Sequence, residues 1–122
     1  MSDLSPPHTI VDPAAATAAV TREVSSWTGI SVRSGPLEGG TEFRLNGRSL
    51  GHLHAPRDDV ATADLIFPPD VGEALIVSGR GRPHPMMPAL GWVNAPMGTR
   101  SEIANVIDLF RQSYERAQHA LR

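Results

Sequence analysis

The chain has 122 residues, of which 40% are hydrophobic and 20% charged, with a net charge of −2 at pH 7 and no cysteine. That length supports one domain with one core, and the lack of cysteine excludes disulfides and thiolate metal sites. The charge balance argues against generic duplex binding, which needs a basic surface, and no apolar run approaches the ~20 residues of a membrane span.

Residues 1–11 are rich in serine and proline and read as a flexible N-terminal arm, with residues 12–122 forming a single domain. No basic segment followed by an apolar run opens the sequence, so no secretory signal is expected and the cytoplasm is the default location. Asp12 then Pro13 reads as an N-cap and first helical residue, because proline lacks an N–H that would be orphaned there. Val20, Val24 and Trp27 recur at helical spacing and give "PAAATAAVTREVSSW" one apolar face. "ISVRS" reads as a short strand.

"TEFRLNGRSLGHLHA" predicts a hairpin around Asn46-Gly47, a pair suited to a type I′ turn. Counted outward from that turn, Leu45 faces Arg48, Phe43 faces Leu50 and Thr41 faces His52. His52 and His54 are thereby expected on the apolar, helix-covered face with Phe43 and Leu50. "VATADLIF" predicts a further strand with Ala61, Ala63, Leu65 and Phe67 on its apolar side. "PPDVGEALIVSGRG" reads as a short helix opened by Pro69 and stopped by Gly79. "RPHPMMPAL" reads as a loop, with Arg80 and Arg82 solvated at its start. "GWVNAPM" is the last strand. In "TRSE", Thr99 and Glu102 form a capping box. Ile103, Val106, Ile107, Phe110, Tyr114, Ala117 and Leu121 then mark the stripe of a final helix. Hairpins imply antiparallel pairing, so the expected fold is a two-layer α+β domain: an antiparallel sheet of four to five strands with the N- and C-terminal helices on one face.

"EFRLNGRSLGHLH", "DLIFPPDVGEALIVSG", "HPMMPALGWV" and the closing Ser113-Tyr114 resemble, in that order, a family of small bacterial and fungal luciferase-domain proteins. The resemblance covers about residues 35–117 and implies no named reaction. Trp92 followed by a helix bearing Ser113-Tyr114 is also similar to the MmcQ/YjbR family. That second resemblance implies a compact frataxin-like α+β fold and, as a function, association with DNA.

His52 and His54 stand at i and i+2 on a strand, so both rings point to one face. A divalent transition metal held by two imidazoles needs a third ligand, and His84 is the candidate. Asp64 falls among the even positions of its strand and is expected to face away from the histidines, so Asp58 and Asp59 are the carboxylates better placed to curl back. Trp92, Met86 and Met87 could wall a pocket, and Tyr114, on the stripe of the last helix, could place its hydroxyl at the core edge, with proton transfer as its functional alternative. The expected ligand-binding set is therefore His52, His54, His84, Trp92 and Tyr114, with His52, His54 and His84 as the metal alternative and no cofactor otherwise required. The leading functional expectation is a small-molecule binding or interaction module with a histidine-lined pocket. The alternatives are a small enzyme using these histidines for acid–base or metal-assisted chemistry, and a YjbR-like DNA-associated protein. No membrane partner is expected, and the acidic balance weakens the nucleic-acid reading.

Overall fold

The computed structural model describes residues 6–35, 39–56, 60–86 and 90–120. Asp58, Asp59, Met87 and Leu121, each singled out above, lie outside them. The element order is α1 (Pro13–Ser25), β1 (Ile30–Ser34), β2 (Thr41–Leu45), β3 (Arg48–Leu53), β4 (Thr62–Leu65), α2 (Pro69–Val77), β5 (Arg82–Pro83), β6 (Val93–Pro96) and α3 (Arg100–Ala120). The strands form one antiparallel sheet in the order β1-β2-β3-β4-β6-β5. This is the expected α+β class with six strands rather than four to five. The additional strand is β5, whose two residues lie in the proline-punctuated stretch and are too few to show a period.

Local signals explain the helix ends. The Asp12 carboxylate accepts the Ala15 N–H at 3.2 Å, and Pro13 opens α1. Thr99 Oγ1 accepts the Glu102 N–H at 3.2 Å, and Glu102 Oε1 accepts the Gly98 N–H at 2.9 Å. The capping box is thus present, with the glutamate reaching one residue further back than the motif requires. Residues 7–11, expected to belong to the arm, are bonded to the start of α3: Ser101 N–H to the Pro7 carbonyl, Arg100 N–H to Thr9 and Val11 N–H to Gly98.

One core lies between the sheet and the helices. Ala16, Val20 and Val24 of α1 and Val106, Leu109, Phe110 and Ala117 of α3 bury themselves with Phe43, Leu53, Ala63, Leu65, Val93 and Ala95 of the sheet. Phe43 meets Phe110 edge-on at 5.3 Å between ring centres. The end of α2 is pinned to α3 by Arg80, which donates to Asn105 Oδ1 at 2.6 Å and Asp108 Oδ2 at 2.7 Å, so Arg80 is not the free solvated side chain expected.

The decisive local feature lies in the β2–β3 hairpin. Asn46 and Gly47 both take positive φ, 51° and 83°, as a type I′ turn demands. Pairing starts as expected, Leu45 with Arg48 and Arg44 with Ser49, but the register then slips and Phe43 pairs with Gly51. Leu50 is the extra residue of a β-bulge. Its carbonyl, freed from the ladder, accepts the Ile66 N–H at 3.2 Å. Beyond the bulge, Glu42 pairs with His52 and Thr41 with Leu53. A shift of one residue moves every later side chain to the other face. Phe43, Gly51, Leu65 and Val93 now form one cross-strand row toward α3. The neighbouring row, Glu42, His52, Asp64, Asn94 and Arg82, takes the opposite face, away from α1 and α3. The expectation that His52 shares a face with Phe43 and Leu50, and that Asp64 points away from it, is therefore corrected by the bulge.

Gly51 makes the bulge possible. It sits at φ 143°, and a Cβ there would lie 2.3 Å from the Asp64 carbonyl oxygen and 3.1 Å from Phe110 Cε1. Gly47 has open space around it despite its positive φ. Gly51→Ala is expected to cost on the order of 3 kcal/mol, and Gly47→Ala only about 1 kcal/mol, in urea unfolding. Equal losses at the two positions would contradict the close β3–β4 approach.

Candidate metal centre on the open sheet face

Three adjacent strands supply the site by register alone. His52 in β3 pairs with Asp64 in β4, and Asp64 pairs with Asn94 in β6. His54 follows two residues after His52 on the same face. His84, just past β5, is tied to β6 by its N–H to the Trp92 carbonyl at 3.3 Å. The result is a buried carboxylate, 1% exposed, ringed by imidazoles.

The distances converge on one atom. Asp64 Oδ2 lies 3.1 Å from His52 Nε2, 2.5 Å from His54 Nε2 and 3.1 Å from His84 Nε2. Its other oxygen, Oδ1, accepts from Asn94 Nδ2 at 2.8 Å. The rings pack edge to face: His52 on His54 at 5.0 Å, and Trp92 on His84 at 5.4 Å and on His52 at 6.4 Å between centres. Arg82 closes the row by donating to Asn94 Oδ1 at 3.0 Å. Burial alone pushes the Asp64 carboxyl up, but hydrogen bonds from His52, Asn94 and His54 outweigh it and hold the group well below the usual carboxylate range. Glu42, opposite His52, is likewise held low: burial raises it, and the hydrogen bond from Arg44 at 2.8 Å, the Arg44 charge and smaller contributions together outweigh that.

Three ring nitrogens on one carboxylate oxygen exceed what that oxygen can accept well, since it offers about two lone pairs. Neutral imidazole has one proton to place, so the rings need not be equivalent. His84 is the one whose state is defined. Its Nδ1 accepts the Met86 N–H at 3.1 Å, which leaves its proton on Nε2, facing Asp64. A nitrogen that carries a proton donates and does not ligate. His52 and His54 are under no such constraint in the described contacts. One ring nitrogen of each and an Asp64 oxygen lie within 4.8 Å of one another, a spacing that can hold a metal ion. His52, His54 and Asp64 thus form a two-histidine, one-carboxylate set, with His84 and Asn94 orienting the carboxylate.

Of the expected residues, the structure brings together His52, His54, His84 and Trp92. It does not bring Tyr114. That hydroxyl donates to the Thr28 carbonyl at 2.6 Å, and the ring packs on Trp27 at 5.3 Å, on the helix side of the sheet. The reason is the α3 stripe itself, which turns Tyr114 into the core. Asp64 and Asn94 were missed. The signal that could have found Asp64 is Gly51, a glycine inside a strand, which marks bulges.

What results is an α+β domain with a histidine–carboxylate cluster on the sheet face opposite α1 and α3. A family model described as the luciferase domain matches residues 47–113. The match takes in more than half of the chain, and the protein belongs to that family. The matched span runs from the β2–β3 turn into α3 and contains His52, His54, Asp64, His84, Trp92 and Asn94. No curated protein and no solved structure matches the chain.

The Asp64 carboxylate also sets a pH dependence. Unfolded aspartate titrates near ~3.9, and the folded value lies lower. Its stabilising contribution is therefore complete above about pH 4 and is lost as the pH falls from there through the folded value. Asp64→Asn is expected to cost on the order of 2–3 kcal/mol near pH 7. The gap to the wild type should narrow as urea unfolding is repeated toward pH 2. A gap that stays constant with pH would show that the carboxylate charge is not what the rings hold.

Proposed function

We propose that this protein is a small-molecule-binding protein whose site is organised by a divalent transition metal held by His52 Nε2, His54 Nε2 and an Asp64 oxygen. The observation that carries this reading is the over-subscribed Asp64 Oδ2, with its imidazole nitrogens at 2.5–3.1 Å. Replacing the competing protons of His52 and His54 by one cation satisfies all three groups. Two neutral imidazoles and one carboxylate leave a dication with a net positive charge and open positions. Such a centre polarises an oxygen ligand or a bound water. Trp92 supplies an apolar wall beside it, and Met86 and Leu90, both exposed, stand in the loop that runs from His84 to Trp92. The same layout suits metal-assisted acid–base chemistry, with the His84 N–H beside the ligand oxygen.

Protein purified without a polyhistidine tag tests this directly. Elemental analysis after loading with zinc, nickel or cobalt should give about one ion per chain, with a metal-dependent rise in Tm. His52→Ala, His54→Ala and Asp64→Ala should lose the ion. His84→Ala should keep the stoichiometry with affinity lowered by about 10–100-fold. No metal uptake and no thermal shift in the wild type would remove the proposal. Loss of stoichiometry in His84→Ala would make His84 a ligand instead of an orienting donor.

A further inference from the structure

A second concave feature lies away from the histidine cluster. It is a cleft of about 250 Å³ between α3 and the adjoining ends of β3 and β4, lined by Arg48, Leu50, Phe67, Ser113, Arg116 and Ala117 among others. Its apolar side comes from Leu50, Phe67 and Ala117, all buried members of the core. Its polar side is cationic. Arg48 stands at the start of β3 and Arg116 on the last turns of α3. Among the described residues neither guanidinium makes an ion pair or a hydrogen bond. By contrast, Arg44, Arg80 and Arg111 each pair with a carboxylate. The helix neighbours of Arg116 at three and four residues are Gln112, Ser113, His119 and Ala120, so α3 offers it no acid there. In a chain of net charge −2, Arg48 and Arg116 bring two guanidiniums to the lining of one cleft with no carboxylate set against them among the described residues.

The geometry points to a second binding site that takes a small amphipathic anion, a carboxylate on an apolar tail. The arginines supply charge-assisted hydrogen bonds to the carboxylate. The tail lies on Ile66, Pro68 and the aliphatic stems of the two arginines, over a floor of the buried Leu50, Phe67 and Ala117, and the volume suits roughly ten non-hydrogen atoms. Ser113 holds the floor: its hydroxyl lies 3.4 Å from both the Leu50 and the Ile66 carbonyls. The carbonyl of the β-bulge is thus part of the cleft wall. The inference does not depend on the metal reading, since no residue is shared with it.

Octanoate is the probe, followed by amide chemical shifts in the full chain, with 1-octanol and inorganic phosphate as the two partial ligands. Octanoate should give saturable shifts centred on Leu50, Ser113 and Ala117, with a submillimolar to millimolar Kd. Octanol should bind at least about tenfold more weakly, and phosphate should not saturate. The Arg48→Gln/Arg116→Gln double variant should lower octanoate affinity about tenfold or more while leaving Tm and metal uptake as in the wild type. Equal binding of octanol, unchanged octanoate binding in the double variant, or shifts that map elsewhere would each overturn the site. Octanoate that gives no saturable shift would do the same.

Discussion

A buried carboxylate must be met by donors or it will not stay charged. In this fold Asp64 is that carboxylate, and the whole open face is arranged to meet it. One strand neighbour brings His52, the other brings Asn94, and the chain beyond each brings His54 and His84. Trp92 seals two of the rings. No helix is needed on this side, because the rings themselves bury the charge. The opposite face carries the hydrophobic load, with α1 and α3 packed on Phe43, Leu65 and Val93. The sheet thus separates stability from chemistry: one face is apolar core, the other a polar cluster held in register by the same backbone ladders.

The two faces meet at Gly51. A side chain there would strike the Asp64 carbonyl of β4 on one hand and the Phe110 ring of α3 on the other. The slip at Leu50 satisfies both demands. It keeps Leu50 and Leu53 in the core, each 1% exposed, and still turns His52 outward. A regular hairpin could not do this, since strict alternation would send His52 and Phe43 to the same side.

This accounts for what was and was not legible in the sequence. Helices α1 and α3 were readable because caps and apolar periods agree over many residues, and the Asn46-Gly47 turn because its backbone demand is local. The parity of β4 was also readable, so Asp64 was rightly placed opposite Ala63 and Leu65. What failed was the propagation of register from the turn. One bulged residue reversed the face of His52 and His54, and with it the inference that Asp64 stood apart. His84 and Trp92 lie beside His52 and His54, where the loop order put the candidate third imidazole and pocket wall, but the proton on His84 Nε2 depends on the Met86 N–H. That contact is a property of a turn between prolines, and no pattern of residue types encodes it. Tyr114 was drawn into the expected site by its hydroxyl. Its position on the α3 stripe was the better guide, and that position puts it in the core.

The most direct test is therefore of the register, because every later step stands on it. In a nuclear Overhauser spectrum of the protein, the His52 ring protons should show contacts to the Trp92 ring and none to the Phe110 ring, which the sheet separates from them. Contacts from His52 to Phe110 and Phe43, with none to Trp92, would place the histidines on the helix-covered face and contradict the account at its root.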